Sequence, residues 1–224
     1  MSAPTSHAGE SRREARRDAY ESPRPDVQAL VPAGARRILD LGCASGELGA
    51  ALKRRQDAVV VGIEIDPDYA RDAARRLDRV ICADLETALA EGEEIGRFDC
   101  VIAADVLEHL VDPWGVLRRA VALLEPGGIA VVSLPNVRYV LTFWRLIRGG
   151  RWPREPAGPF DATHLRWFTP LDARELLEQA GLTVEHAEPK YFFHGPVLAL
   201  VKLLGRTRLA EFLAGQYVLQ GRRP

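Results

Sequence analysis

Residues 36–49 read RRILDLGCASGELG. A short apolar run meets an acid, Asp40, and then glycines at 42, 46 and 49. The run is long enough for one buried strand, and the small residues after it let the backbone turn and come close to a ligand. A helix is expected over Gly46–Arg55, with its amide groups facing the turn. The spacing is G-x-x-x-G-x-x-G rather than the G-x-G-x-x-G of dinucleotide enzymes, which argues against a nicotinamide cofactor.

The same alternation continues outward. Ala58–Ile65 (AVVVGIEI) is rich in β-branched residues and reads as a buried strand, followed by a helix over Pro67–Leu77 with proline in its first turn. Arg79–Ala83 and Phe98–Ala104 read as further strands. Asp112 is placed to cap a helix reaching Leu124, and Gly128–Leu134 is a strand after a Pro126-Gly127-Gly128 turn. Strands alternating with helices predict crossover units and a mainly parallel sheet covered on both faces. Beyond Asn136 a helix is expected over Val137–Arg148, a loop over Gly149–Thr163, and a helix over Pro170–Ala180 capped by Thr169 and ended by Gly181. Leu182–Ala187 and Gln216–Gly221 read as strands, and Pro196–Ala214 as helix interrupted at Gly205.

The 224 residues are 47% hydrophobic and 27% charged with net charge −1, an ordinary globular composition that does not suggest a nucleic-acid partner. The three cysteines, Cys43, Cys82 and Cys100, form no C-x-x-C and point to reduced thiols. There is no apolar leader at the N-terminus, and Val137–Ile147 is too short and too arginine-rich to span a bilayer. A cytoplasmic protein, monomeric or homodimeric, is expected. Residues 1–25 read as an arm whose Ser11–Tyr20 stretch mixes four arginines with Glu14 and Asp18; residues 26–224 form one domain with a lid insert at about 137–168.

Ligands of open parallel sheets bind at the carboxyl ends of strands near the point where the strand order reverses. Glu64 ends the second strand and can accept bonds from two ribose hydroxyls, with Asp66 as a fallback on the same strand face. Asp84, after the third strand, can meet an exocyclic amine.

In five ordered segments the chain resembles the class I S-adenosylmethionine-dependent methyltransferases: ILDLGCASGELG, VVGIEID, CADLE, FDCVIAADVLEHLVDPWGVL and LEPGGIAVVSLPN. The resemblance covers about residues 20–223, and the tail QYVLQGRRP looks like the family's last, antiparallel strand. It implies a Rossmann-like α/β fold with a seven-stranded sheet and the donor S-adenosylmethionine, released as S-adenosylhomocysteine. It also implies a donor site built from Asp40, Gly42, Cys43, Ala44, Gly46, Glu64, Ile65, Asp84, Leu85, Ala104 and Asp105. In relatives an N-terminal tyrosine and arginine near Tyr20 and Arg24 close over the donor, the arginine meeting its carboxylate.

Asp105-Val106-Leu107-Glu108-His109 resembles the stretch of ubiquinone-biosynthesis O-methyltransferases in which two acids and a histidine hold a divalent metal. Asp105, Glu108 and His109 are therefore the metal candidates, with Mg2+ a secondary expectation, because the same pattern is widespread in metal-free methyltransferases. Phe160–Thr169 (FDATHLRWFT) resembles a segment of glycan- and secondary-metabolite-linked methyltransferases. Asp161 there either orients His164 or caps a turn, and an Arg166–Asp161 ion pair is the structural alternative. Asp105, His109 and His164 are the catalytic candidates. Seven aromatic side chains lie between 139 and 168, suiting either a flat acceptor or a packed lid. Methyl transfer to a small-molecule hydroxyl, a phenol or catechol, is the expectation. Its rivals are a sugar or glycan-linked acceptor and a non-catalytic protein that only binds the donor.

Overall fold

The computed structural model describes residues 21–90, 95–193, 201 and 210–224. The expected arm up to Tyr20, and most of the helix expected over Pro196–Ala214, lie outside the described residues.

Seven strands form one sheet in the order β3-β2-β1-β4-β5-β7-β6. They are β1 (Arg37–Leu41), β2 (Val59–Glu64), β3 (Arg79–Cys82), β4 (Phe98–Ala104), β5 (Leu124–Pro135), β6 (Thr183–Lys190) and β7 (Gln216–Arg222). The first five run parallel, and β7 is antiparallel to both β5 and β6. Order reverses between β1 and β4, so the loops after these two strands open a crevice at their carboxyl ends.

Period-two alternation sorts the core into two layers. Leu39, Leu41, Val101, Ala103, Ala130 and Val132 face helices 113–122 and 170–179. Ile38, Cys100, Ile102, Ile129 and Val131 face the other layer with Leu48, Leu52, Ala73 and Leu77. Asp40 shares the parity of Ile38 but lies at the ligand end of β1, where the apolar layer gives way to the crevice.

The caps follow the sequence. Asp112 accepts from the Gly115 amide, and Thr169 and Asp172 form a reciprocal capping box. One expectation changes: Pro126-Gly127-Gly128 is not a turn before β5. Leu124 already pairs with Phe98, Ile129 pairs with Cys100, and the residues between bulge out of the strand with Gly127 at φ +77°. Between β5 and the helix 170–179 lie a helix over Val140–Gly149 and an irregular stretch, tied to the domain where Val137 N–H donates to the Phe168 carbonyl at 3.0 Å.

Candidate functional site

The turn after β1 carries the cavity's tightest geometry. Gly42, Ala44 and Gly46 all have positive φ, at +67°, +46° and +80°. A side chain at Gly42 would put its Cβ 2.6 Å from Val106, so that position needs glycine for space as well as for φ. The turn is held against β2: the amides of Gly42 and Cys43 donate to the Ile63 carbonyl at 2.8 and 3.1 Å. The Ala44 amide donates to Glu64 Oε2 at 2.9 Å.

Above this turn lies a cavity of about 450 Å3. Of the residues expected from sequence, Arg24, Asp40, Gly42, Cys43, Ala44, Ala104, Asp105, Glu108, His109 and His164 line it. Gly46, Glu64, Ile65, Asp84 and Leu85 do not. Gly46 packs on the helix Pro67–Ala73, its Cβ position 3.1 Å from the Ala73 Cα. Asp84 caps the turn Leu85–Ala88 by accepting from the Thr87 amide at 3.0 Å. Glu64, with Asp66 N–H on its other oxygen at 2.8 Å, ends β2, and Asp84 follows the neighbouring strand β3.

The electrostatics are acidic and buried. Burial, reinforced by the charge of Glu64, pushes Asp40 up to about 7, against the pull of Arg24. Its Oδ2 is buried without a hydrogen-bond partner. Glu64 is also raised by burial, opposed by backbone donors at Asp66, Ala44 and Ile65. Burial and then the neighbouring acids raise the Cys43 thiol, which disfavours its thiolate form.

Asp105 takes a positive φ of +56° and is surrounded by donors. Ser133 Oγ donates to it at 2.8 Å, and Arg24 and the Gln216 amide also donate. Arg24 is itself buried and reaches Asp26 through Nε at 3.0 Å and Nη2 at 2.9 Å, and Ser133 at 3.0 Å. Burial alone would lower its pKa, but Asp105 and Asp26 outweigh that and raise it. Ser133, Gln216, Asp26 and Lys190, which pairs with Asp26 at 2.9 Å, carried no signal in the sequence. Strand register brings Ser133, Lys190 and Gln216 together, as where Gln216 pairs opposite Pro135 and Lys190, and Asp26 joins them from the helical turn Pro25–Gln28.

The opposite wall joins the two expected constellations. The Leu165 and Arg166 amides donate to the Glu108 carbonyl at 2.9 and 3.0 Å. His109 and His164 meet edge to face, ring centroids 4.7 Å apart. Thr163 Oγ1 lies 3.1 Å from His109 Nδ1 and donates to Asp161 at 2.7 Å. Asp161 also accepts the Thr163 amide, so it caps a turn; Arg166 instead hydrogen bonds the Val111 carbonyl. Glu108 is buried beside His164 (3.9 Å) and raised well above the carboxylate range, by burial and then by Asp105. His164 falls to about 4, through burial and then His109.

The metal set changes accordingly. Among the described residues Glu108, His109 and His164 bring ligand atoms within 4.8 Å of one another, while Asp105 is held by Arg24, Ser133 and Gln216. One carboxylate and two imidazoles do not suit Mg2+, which prefers oxygen ligands.

The match to known proteins is extensive. A family model described as a methyltransferase domain fits residues 13–187. The chain belongs to the class I S-adenosylmethionine-dependent methyltransferases. A relative named ubiquinone biosynthesis O-methyltransferase, from Azorhizobium caulinodans, is 32% identical over 202 residues, 85% of this chain and 75% of its own. One of the same name from Ralstonia nicotianae is 28% identical over 204 residues, 88% of this chain and 81% of its own. The crystal structure of an S-adenosylmethionine-dependent methyltransferase from Archaeoglobus fulgidus superposes with a TM-score of 0.66 at 17% identity, covering 97% of this chain and all of that one, a likeness of fold. This methyltransferase uses S-adenosylmethionine. Its residues suit that cation: the unpartnered, buried Asp40 oxygen lies beside a turn whose small residues leave room for the donor. Among the described residues no helix is long and apolar enough to cross a membrane.

Proposed function

We propose that this methyltransferase acts on a hydroxyl of a small, flat acceptor of the phenol or catechol class. The observation that carries the reading is the pair of imidazoles, His109 and His164, on the cavity wall that also holds Asp105. The shared name of its curated relatives supports oxygen as the acceptor atom.

When bound, S-adenosylmethionine supplies an electrophilic methyl group on a sulfonium sulfur. The chain's part is to place and charge the site. Glu64 takes the ribose hydroxyls, with Ile65 beside it, and Asp84 and Leu85 take the adenine edge. Gly42, Cys43, Ala44 and Ala104 give backbone close to the methionine portion, and Asp40 faces the positive sulfur. Gly46 supports the turn. Arg24 already spends four of its five N–H groups on Asp26, Asp105 and Ser133, so it meets a donor carboxylate with its remaining one or by releasing a partner.

His109 is the proton acceptor for the hydroxyl, oriented by Thr163. A hydroxyl must lose its proton as the methyl arrives, and a positioned base typically gives ~10²–10⁴-fold. His164, held neutral at pH 7 by burial, packs against His109 and positions it. Asp105, with its carboxylate engaged by three donors, fixes the cavity wall rather than taking the proton.

Methyl transfer from labelled donor to catechols, monophenols and sugar nucleotides tests this. Catechols or phenols turn over, and His109→Ala lowers kcat by about a hundredfold or more with donor affinity unchanged. Turnover of sugar nucleotides alone, or a His109→Ala variant as fast as the parent, overturns the assignment.

A further inference from the structure

The helix Val140–Gly149 buries only Thr142 and leaves most of its apolar side chains uncovered. Thr142 and the preceding Tyr139 are buried, while Val140, Leu141, Phe143, Trp144 and Ile147 are exposed, Ile147 at 81%. The loop that follows adds exposed Trp152, stacked edge to face on exposed Trp167. Soluble surfaces seldom gather so many large apolar side chains in one patch.

The patch is also basic. Residues 140–155 hold four arginines and one acid, Glu155, on a chain whose net charge is −1. Glu155 is taken by Arg145. Arg148 lies over the Trp144 ring, 5.6 Å from its centroid, and Arg151 and Arg154 are exposed and form no ion pair among the described residues. A shallow recess runs between Trp144, Trp152 and these arginines.

We propose that this face docks on an anionic lipid bilayer, lying in its interface without crossing it. Apolar side chains that enter the acyl boundary, tryptophans at headgroup level and arginines that reach lipid phosphates form the pattern of an interfacial helix. The alternatives fit less well. A nucleic acid would use the arginines and tryptophans but leave Val140, Leu141 and Ile147 in water. A second copy of the same patch would bring like charges together. Ala157, Gly158 and Pro159, only a few residues beyond the arginines, line the catalytic cavity, so docking sets the cavity mouth near the bilayer. The inference does not rest on the acceptor being a phenol.

The test is co-sedimentation of the full chain with phosphatidylglycerol-containing vesicles against pure phosphatidylcholine vesicles, with tryptophan emission followed in parallel. Three of the four tryptophans lie in the lid segment that carries the patch, so docking shifts the emission to the blue. Binding is expected to the anionic vesicles, to weaken in high salt, and to fall by about tenfold or more in an Arg148→Glu/Arg151→Glu/Arg154→Glu variant and in Trp144→Ser/Ile147→Ser. Both variants keep the melting shift given by S-adenosylhomocysteine, which reports an intact fold. Equal binding to both vesicle types, or none, overturns the proposal on the parent protein alone. So does unchanged binding by folded variants, tighter binding to an oligonucleotide than to the vesicles, or a homodimer in light scattering that Trp144→Ser/Ile147→Ser dissolves.

Discussion

Asp40 is held in conflict by its neighbours. Burial and Glu64 keep its proton on up to about pH 7, whereas the role proposed for it beside a sulfonium calls for the ionised form. In the unfolded chain it titrates near 3.8. Between these values the folded protein keeps a proton that the unfolded chain has released. The stability Asp40 contributes is therefore complete below about 3.8 and is lost as pH rises through about 7. His164 works in the opposite sense: its contribution is present above about 6.5 and lost as pH falls through about 4. A comparison of parent and variant isolates the first effect. Asp40→Asn is expected to gain about 2–4 kcal/mol relative to the parent between pH 5 and pH 8, and to lose about tenfold or more in donor affinity. Urea melts at the two pH values, with calorimetric titration of the donor, check both. A stability difference that does not change with pH would remove the buried-proton account.

At the scale of elements, the helix 170–179 begins where the irregular stretch after the helix Val140–Gly149 ends. The Asp172 amide donates to Thr169 Oγ1 at 3.2 Å, and the Thr169 amide donates to Asp172 at 2.9 Å. Phe168, just before the cap, is buried, and Leu176 and Leu177 enter the core. Thr169→Ala is expected to cost ~1 kcal/mol in urea denaturation with S-adenosylhomocysteine binding unchanged. A matching loss of ligand affinity would show instead that the cap shapes the donor site. This cap, the Asp112 cap and the glycine turn at 42–46 were legible in the sequence because each rests on residues a few positions apart. The bulge at 126–128 was not, since Pro-Gly-Gly is equally a turn, and only the pairing of Leu124 with Phe98 distinguishes the two. The site divides in the same way. His109 and His164 were visible singly, but their contact depends on the segment at 165–166 crossing back to the Glu108 carbonyl. The Asp105 clasp needs Arg24, Ser133 and Gln216, brought together from near the N-terminus, β5 and β7.

That clasp ties the molecule together at its largest scale. Arg24 lies on the segment leading into the turn Pro25–Gln28, whose Val27 is fully buried. Its guanidinium joins this segment to the ends of β4 and β5, and Asp105 extends the link to β7. Replacing a buried arginine leaves its carboxylate partners desolvated without a counter-charge, a loss larger than the net worth of the pair. Asp26 and Asp105 keep partial access to water, with side chains 24% and 36% exposed, which moderates the cost. Arg24→Ala is expected to lose about 1–3 kcal/mol of stability by urea denaturation. Because Asp105 lines the cavity, the variant also raises KM for the donor more than it lowers kcat. Arg24→Lys keeps the charge but not the fork that spans two carboxylates, so it recovers part of the stability and less of the donor affinity. A lysine variant equal to the parent in both would show that charge alone matters there. An alanine variant of unchanged stability would show that the N-terminal segment is held by Val27 and Val31 rather than by the clasp.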